Sequence, residues 1–358
     1  MSDWREPEHR REAFQRFYSF HLKYKTHPGC VYFMLPALAE HYDLDDDGKA
    51  WLVWLNGNTQ NPVTTQLLLE ASGGDPDRWE DSVRFWNDNW DRLQWDTDRR
   101  YQKGKFGEAT AAWIDGAGQA PAFGWKFAGH QGWDATWMFA NGQPYMGRLS
   151  AWSMTEYAKI MFPDDVPDAS TLLLRDSGST SHRNGLSIIA GWGNPYLKWD
   201  KHDLDLWVPE LEQLGEALLT EAAGRNLVGA PECECLPPYD SCTHEPEPHP
   251  DVLRLTLESA LCTYKSWHKP NRRYPNVYAD MHHDRIRWAE ERWGARFQLQ
   301  WDARAEHLPE YLRLEATPGD PGLVPAKQNH YLETGEIPML HREWPDMDNE
   351  FNKRIEGR

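Results

Sequence analysis

"KAWLVWLNGNTQNPVTTQLLLE", residues 49–70, poses the question on which the fold turns. Its flanks, "KAWLVWL" and "VTTQLLLE", are apolar on nearly every side, as a pair of core helices would be. Between them stand four side-chain amides, Asn56, Asn58, Gln60 and Asn61, with Thr59 among them. A buried polar group left without a partner costs about 1–3 kcal/mol, so enclosed amides must be bonded to something. Two sets of partners would serve: the backbone of a capped helix–helix turn, or a bound molecule.

The same helical periodicity runs outward from this stretch. "REAFQRFYSFHLKYK" places Phe14, Phe17, Tyr18 and His21 or Leu22 on one stripe. "DSVRFWNDNWDRLQWDTDRRYQK" repeats Val83, Trp86, Trp90, Leu93, Thr97 and Tyr101 at three-and-four spacing, which predicts one long helix. Residues 116–150, rich in Gly and Trp, read as irregular loop. Helices are expected again over 151–162 and 207–223, from about Asp251 with Leu253, Leu257, Leu261 and Tyr264 in register, and over "HHDRIRWAEERW". Residues 228–250 are broken by Pro and Cys, and the tail from Pro318 reads as loop. There is no βαβ alternation, glycine-rich phosphate loop or internal repeat. The expected fold is mainly α with long irregular loops, and residues 1–354 are expected to form one large helical domain, any sub-division falling near 116–150.

Composition limits the function classes. The 358 residues include 20 Trp, far too aromatic a chain for a disordered one. No uninterrupted apolar run is long enough to span a membrane, so no membrane partner is expected. The charged start "MSDWREPEHRREAF" lacks a signal-peptide core, and five cysteines suit a reducing cytoplasm. The closing "IEGR" (355–358) resembles a protease-recognition linker and is set aside. A net charge of −18 argues against nucleic-acid binding through the whole surface, though a local basic groove is compatible with it.

Several motifs carry chemistry. "DLDDDGKAWLVW" opens like a calcium loop, but its twelfth position is Trp54 where a bidentate carboxylate is needed, so an acidic helix cap is expected instead. "CECLPPYDSCTH" offers Cys233, Cys235, Cys242 and His244, a donor set that a structural Zn²⁺ accepts. "ESALCTYKSWHKPNRRYPNVYADMHHDRI" is the densest stretch. Glu258, Cys262 and Lys265 fall at i, i+4 and i+7, on a face distinct from the leucine stripe. His268, Lys269, Arg272, Arg273, Tyr274, Asp280, His282 and His283 follow, a mix of cations and aromatics suited to an anionic ligand. A solvated helix end is the plainer reading of the same run. "WDTDRRYQK" adds Asp96, Asp98, Arg99, Arg100 and Lys103, where Asp96 and Arg100 could form an i, i+4 surface pair. "RDSGSTSHRNG", expected as a loop, supplies hydroxyls beside His182 and Arg183, with Gly178 and Gly185 as turn residues.

Three segments together resemble a known group. "HPGCVYFMLPALAEHYDLD…AWLVWLNGNTQNPVTTQLLLE", "NWDRLQWDTDRRYQK" and "ESALCTYKSW…RRYPNVYADM" are similar to the bacteriophage amino acid:DNA transferases, grouped with the α-glutamyl/putrescinyl thymine pyrophosphorylases. The likeness covers about residues 10–105 and 250–290. It implies a helical, DNA-glycosylase-like fold at work in the cytoplasm of an infected bacterium. It also implies a transferase acting on phage DNA whose 5-hydroxymethyluracil carries a pyrophosphate. There the amine of an amino acid, glycine by family habit, replaces pyrophosphate to give a hypermodified thymine. The acidity of the chain is a departure that leaves its grip on DNA unexplained.

Under that resemblance the residues take roles. The target base must be flipped out of the duplex. Asn56, Asn58, Thr59, Gln60 and Asn61 are suited to a pyrimidine edge, since amides both donate and accept. Arg99, Arg100, Lys265, Arg272 and Arg273, with Mg²⁺, would stabilise the departing pyrophosphate, and Tyr274 and Asp280 complete the substrate set. Glu258, Asp96, His182 and His268 are candidates for the base that takes the amine's proton, Glu258 foremost. The partners are modified phage DNA and a free amino acid. The competing readings are a glycosylase-like enzyme acting on modified DNA and a non-catalytic binding module.

Overall fold

The computed structural model describes residues 7–26, 30–96, 102–118, 120–192, 196–224, 250–268 and 278–308. Among them there is no strand, and the helices in chain order are α1 (Pro7–Lys23), α2 (Val31–His41), α3 (Asp46–Thr59), α4 (Pro62–Ser72), α5 (Trp79–Asp88), α6 (Phe106–Ala117) and α7 (Pro121–His130). They continue with α8 (Trp133–Asn141), α9 (Arg148–Met161), α10 (Thr180–Ile189), α11 (Lys201–Gly224), α12 (Arg254–Trp267), α13 (Tyr278–Trp293) and α14 (Gln298–His307). The mainly α class expected from periodicity is the class found. The chain divides into two compact units. One is drawn from Met1–Pro28, Ser170–Asp280 and His307–Arg358, the other from Gly29–Ala169 and Met281–Glu306.

The first unit packs α1, α10, α11 and α12 against one another. Phe14, Phe17, Tyr18 and Leu22 of α1 are buried, as are Leu257, Leu261 and Tyr264 of α12, so these stripes are core faces, while Leu253, expected in the second, is the half-buried residue that precedes α12. Polar tethers fix the helices' registers. The Tyr18 hydroxyl lies 2.7 Å from Thr256 Oγ1, and Gln15 Nε2 donates to the Leu218 carbonyl at 2.9 Å. Burial pushes the Tyr264 phenol well up, so its hydroxyl keeps the proton it donates to the Arg10 carbonyl at 3.0 Å. The closest approach is between α10 and α12. A Cβ on Gly185 would stand 2.5 Å from the Leu261 carbonyl oxygen, which only glycine avoids. Gly185 is thus a helix-crossing residue, and the loop expected over 180–185 is the first half of α10: packing against α12 overrides the turn chemistry of its Ser, Thr and Gly.

In the second unit α3 is central, with Trp51, Leu52, Val53, Trp54 and Leu55 all fully buried. Trp54 stacks on Trp113 of α6 with centroids 5.0 Å apart, and its indole N–H donates to Thr110 Oγ1 at 3.2 Å. Asp45 caps α3 by accepting from the Gly48 amide at 2.8 Å, the role expected of that acidic turn. The helix ends with Gln60 in the left-handed region, φ 48°, and α4 starts one residue later with Asn61 as its cap and Pro62 in its first turn. Two expectations fail in this unit. Residues 116–150 hold α7 and α8 rather than loop. Their glycines are contact points: a Cβ on Gly129 would meet the Asp165 carbonyl oxygen at 2.1 Å, and one on Gly124 the Phe139 ring at 2.5 Å. The long helix expected from Asp81 to Lys103 stops at Asp88, followed by a 3₁₀ turn at Trp90–Arg92 and an extended segment through Asp96. Lys103 then donates to the carbonyls of Trp90 and Leu93, at 2.5 and 2.6 Å, bonds that a continuing α-helix would have kept to itself.

The tail of this unit brings α13 and α14 onto α4. His282, fully buried, donates Nε2–H to Gln300 Oε1 at 2.7 Å, and Gln300 Nε2 donates in turn to Gln66 Oε1 at 2.8 Å. Burial, reinforced by the positive charge of Arg304, holds the His282 imidazole well below its usual range, so it is neutral in the folded protein.

Two stability tests follow from this packing. Gly185→Ala should destabilise by about 1–3 kcal/mol through overpacking, whereas Gly116→Ala, with nothing within 4 Å of its added Cβ, should stabilise by about 0.4–1 kcal/mol. Thermal melts showing the same sign for both would contradict the close α10–α12 crossing. Because His282 titrates near 6.5 only when unfolded, stability should fall as pH drops below about 6.5, where the unfolded chain binds the extra proton. His282→Asn should make the unfolding free energy less pH-dependent than wild type between roughly pH 7 and 5. Parallel pH profiles would show that this imidazole is not buried neutral.

Candidate active site

The α10–α12 crossing assembles side chains from two distant stretches. Ser181 and His182 lie one turn before Gly185 on α10, and Glu258, Cys262 and Lys265 share the facing side of α12. His182 Nδ1 is 3.0 Å from Glu258 Oε1, with both side chains almost wholly enclosed at 0% and 2% exposure. On its other side His182 Nε2 lies 3.0 Å from the Leu172 carbonyl. A carbonyl only accepts, so Nε2 carries a proton and Nδ1 faces the carboxyl oxygen. The imidazole is thus anchored at its far end by the backbone, with Nδ1 turned to Glu258.

Around the pair stand a cation and a thiol. Lys265 is buried, and its ammonium donates to Ser181 Oγ at 2.9 Å. Cys262, half-buried, places Sγ so that the ligand-capable atoms of His182, Glu258 and Cys262 all lie within 4.8 Å of one another. These N, O and S donors are ligand types that zinc accepts. The solvated helix end considered for this stretch is not what residues 258–265 form. Arg183, next to His182, donates to the Leu174 carbonyl and lies 5.2 Å over the Trp199 ring, which fixes the start of α10. Leu172 and Leu174 had no mark in the sequence, because a backbone acceptor can be any residue, whereas Ser181 is one of the hydroxyls that the motif supplied.

The remaining candidates are distributed as follows. His268 caps the end of α12 and meets the Tyr264 ring at 5.0 Å. Asp96 belongs to the second unit, where its carboxylate pairs with Arg285 and its amide donates to the Thr59 carbonyl at 3.0 Å. Among the described residues its partner is Arg285. Arg99, Arg100, Arg272, Arg273, Tyr274 and the set Cys233, Cys235, Cys242 and His244 lie outside the described residues, as does the side chain of Asp280.

The amide cluster, also in the second unit, bonds mostly to its own turn. Asn61 Oδ1 accepts from the amides of Val63 and Thr64 at 3.1 and 3.2 Å. Asn58 Nδ2 donates to the Trp54 carbonyl at 2.9 Å, and Gln60 Nε2 donates to Ser153 Oγ at 3.2 Å. Thr59 Oγ1 lies 2.7 Å from Thr65 Oγ1, which donates to Asn56 Oδ1 at 3.0 Å. The capped-turn alternative accounts for these bonds. Asn56 Nδ2 is the exception, buried and without a partner among the described residues.

No protein-family model matches the chain, and no solved structure matches it. A protein of Salmonella phage ViI described as a serinyltransferase is 28% identical to it over 320 residues, which cover 81% of this chain and 71% of that protein. The chain is therefore similar to a phage amino acid transferase across both compact units.

Proposed function

We propose that the protein is a transferase that places an amino acid on pyrophosphate-activated 5-hydroxymethyluracil in phage DNA. The observation that carries this reading is the convergence of His182, Glu258 and Lys265 in one enclosed cluster. A base, its orienting partner and a cation come together from separate stretches in a chain similar to a phage serinyltransferase. That relative's name makes serine the first amino acid to test, ahead of glycine.

The chemistry assigned to the cluster is a substitution. The amine nitrogen bonds to the exocyclic carbon, the bond from that carbon to the pyrophosphate oxygen breaks, and the electron pair leaves with pyrophosphate. Glu258 takes the amine's proton, while His182, held by the Leu172 carbonyl, keeps the carboxylate oriented and charged. Lys265, aimed by Ser181, offsets charge developing on the leaving oxygens. Mg²⁺ arriving with the pyrophosphate would add to that stabilisation, in keeping with its preference for phosphate oxygens. The base itself must leave the duplex to reach an enclosed site.

Glu258→Gln should lower the transfer rate by roughly 10²–10⁴ while leaving the melting temperature close to wild type. The Gln amide can still donate to His182 Nδ1, so the buried contact survives without the base. Raising pH should restore part of the activity, because more of the amine is then already neutral. Lys265→Ala should weaken substrate binding as well as rate and gain little from alkali. Full activity of Glu258→Gln across pH would make the His182–Glu258 pair a structural contact.

A further inference from the structure

The α10–α12 seam carries a thiol that the proposed transfer does not use. Glu258 and Cys262 stand at i and i+4 on α12, one above the other on a single face, and His182 meets them from α10. The ligand-capable atoms of the three all lie within 4.8 Å of one another. A tetrahedral cation with bonds of about 2.0–2.3 Å holds its ligand atoms roughly 3.3–3.5 Å apart. His182 Nδ1 and Glu258 Oε1, at 3.0 Å, are already close to that spacing, and rotation of the Cys262 side chain can close the rest.

Three features favour a metal site over a chance gathering of donors. The histidine is held as metal-binding histidines are. Its Nε2–H is spent on the Leu172 carbonyl at 3.0 Å, which fixes the ring and turns Nδ1 toward the other two donors. The charges also balance: Zn²⁺ with one carboxylate and one thiolate is neutral, so an enclosed site on the same helix face as the Lys265 ammonium does not repel it. Cys262, finally, is half-buried where His182 and Glu258 are closed to solvent, which gives an ion its way in. A thiol and an imidazole in the set select Zn²⁺ or Co²⁺ over Mg²⁺, which takes oxygen ligands.

We propose that His182, Glu258 and Cys262 bind a thiophilic divalent cation, Zn²⁺ foremost, and that this cation switches the site off. On binding, the Cys262 thiol gives its proton to solvent and the Glu258 carboxylate becomes a ligand. That carboxylate then cannot take the proton of an incoming amine, so metal and amine compete for Glu258. The metal site rests on the geometry alone; the switching rests on the transferase reading.

The test compares metal-stripped, full-length wild type with Cys262→Ser, whose hydroxyl nearly keeps the size and is a poor zinc ligand. Dialysis against Zn²⁺ should leave wild type with about one equivalent more than the variant. The difference discounts any zinc on Cys233, Cys235, Cys242 and His244, which both proteins share. Zn²⁺ should also suppress transfer by wild type, and Cys262→Ser should need at least about tenfold more for the same suppression. Should the variant fail to fold, Zn²⁺ protection of Cys262 from alkylation in wild type, read by peptide mass, decides the site alone. Equal zinc in the two proteins, or alkylation of Cys262 unaffected by Zn²⁺, overturns the proposal and spares the transferase reading. Zinc held at Cys262 with transfer undiminished also overturns it. Zinc held there by a protein that transfers nothing even when stripped upholds the metal site and sinks the transferase instead.

Discussion

The contact between Gly185 and the Leu261 carbonyl is the constraint on which the candidate active site depends. A side chain of any size at residue 185 would drive α10 from α12, since its Cβ would fall 2.5 Å from a backbone oxygen that cannot swing aside. With hydrogen there, the helices meet closely enough for His182, one turn earlier on α10, to stand 3.0 Å from Glu258, one turn earlier on α12. Lys265 and Ser181 meet at 2.9 Å across the same seam. The polar cluster is therefore a product of backbone proximity, and the buried leucines around it supply the dry surroundings.

Those surroundings give the cluster its chemical character. In a low-dielectric site the attraction between a proton-bearing imidazole and a carboxylate is far stronger than in water, and the cost of separating them is equally raised. The Leu172 carbonyl determines which nitrogen of His182 faces Glu258, so the direction of proton movement is built into the backbone. An enclosed lysine on the same seam, held by Ser181, suits a reaction that releases a polyanion.

Much of the helical framework was legible because it rests on periodicity. The stripe of Phe14, Phe17, Tyr18 and Leu22 and that of Leu257, Leu261 and Tyr264 mark faces that only a helix places together, and both are core. Asp45 was legible as a cap because residue 54 ruled out calcium. The failures share a cause: glycine and hydroxyl residues were read by local propensity where tertiary contact decides. Gly124 and Gly129 are helical because neighbours press on them, and Ser181 and Gly185 are helical because α12 lies against them. The Trp and Leu spacing past Asp88 continued a helical pattern that the backbone abandons for a 3₁₀ turn. In the site, Glu258, Cys262, Lys265 and His182 could be named from the sequence as chemistry-bearing residues, but their meeting could not. Arg285 was passed over because "DRI" in a helix reads as surface charge, whereas its pairing with Asp96 encloses it.

The central claim is the transfer itself, and nucleoside mass analysis tests it most directly. Hydroxymethyluracil-containing DNA would be incubated with a kinase that pyrophosphorylates it, ATP, this protein and L-serine or glycine in turn, then digested to nucleosides. The account predicts a new nucleoside heavier than hydroxymethyldeoxyuridine by one amino acid less one water, formed only when kinase, ATP and this protein are all present, with serine favoured. Recovery of unmodified or pyrophosphorylated nucleoside alone, or release of free base from the DNA, would contradict it.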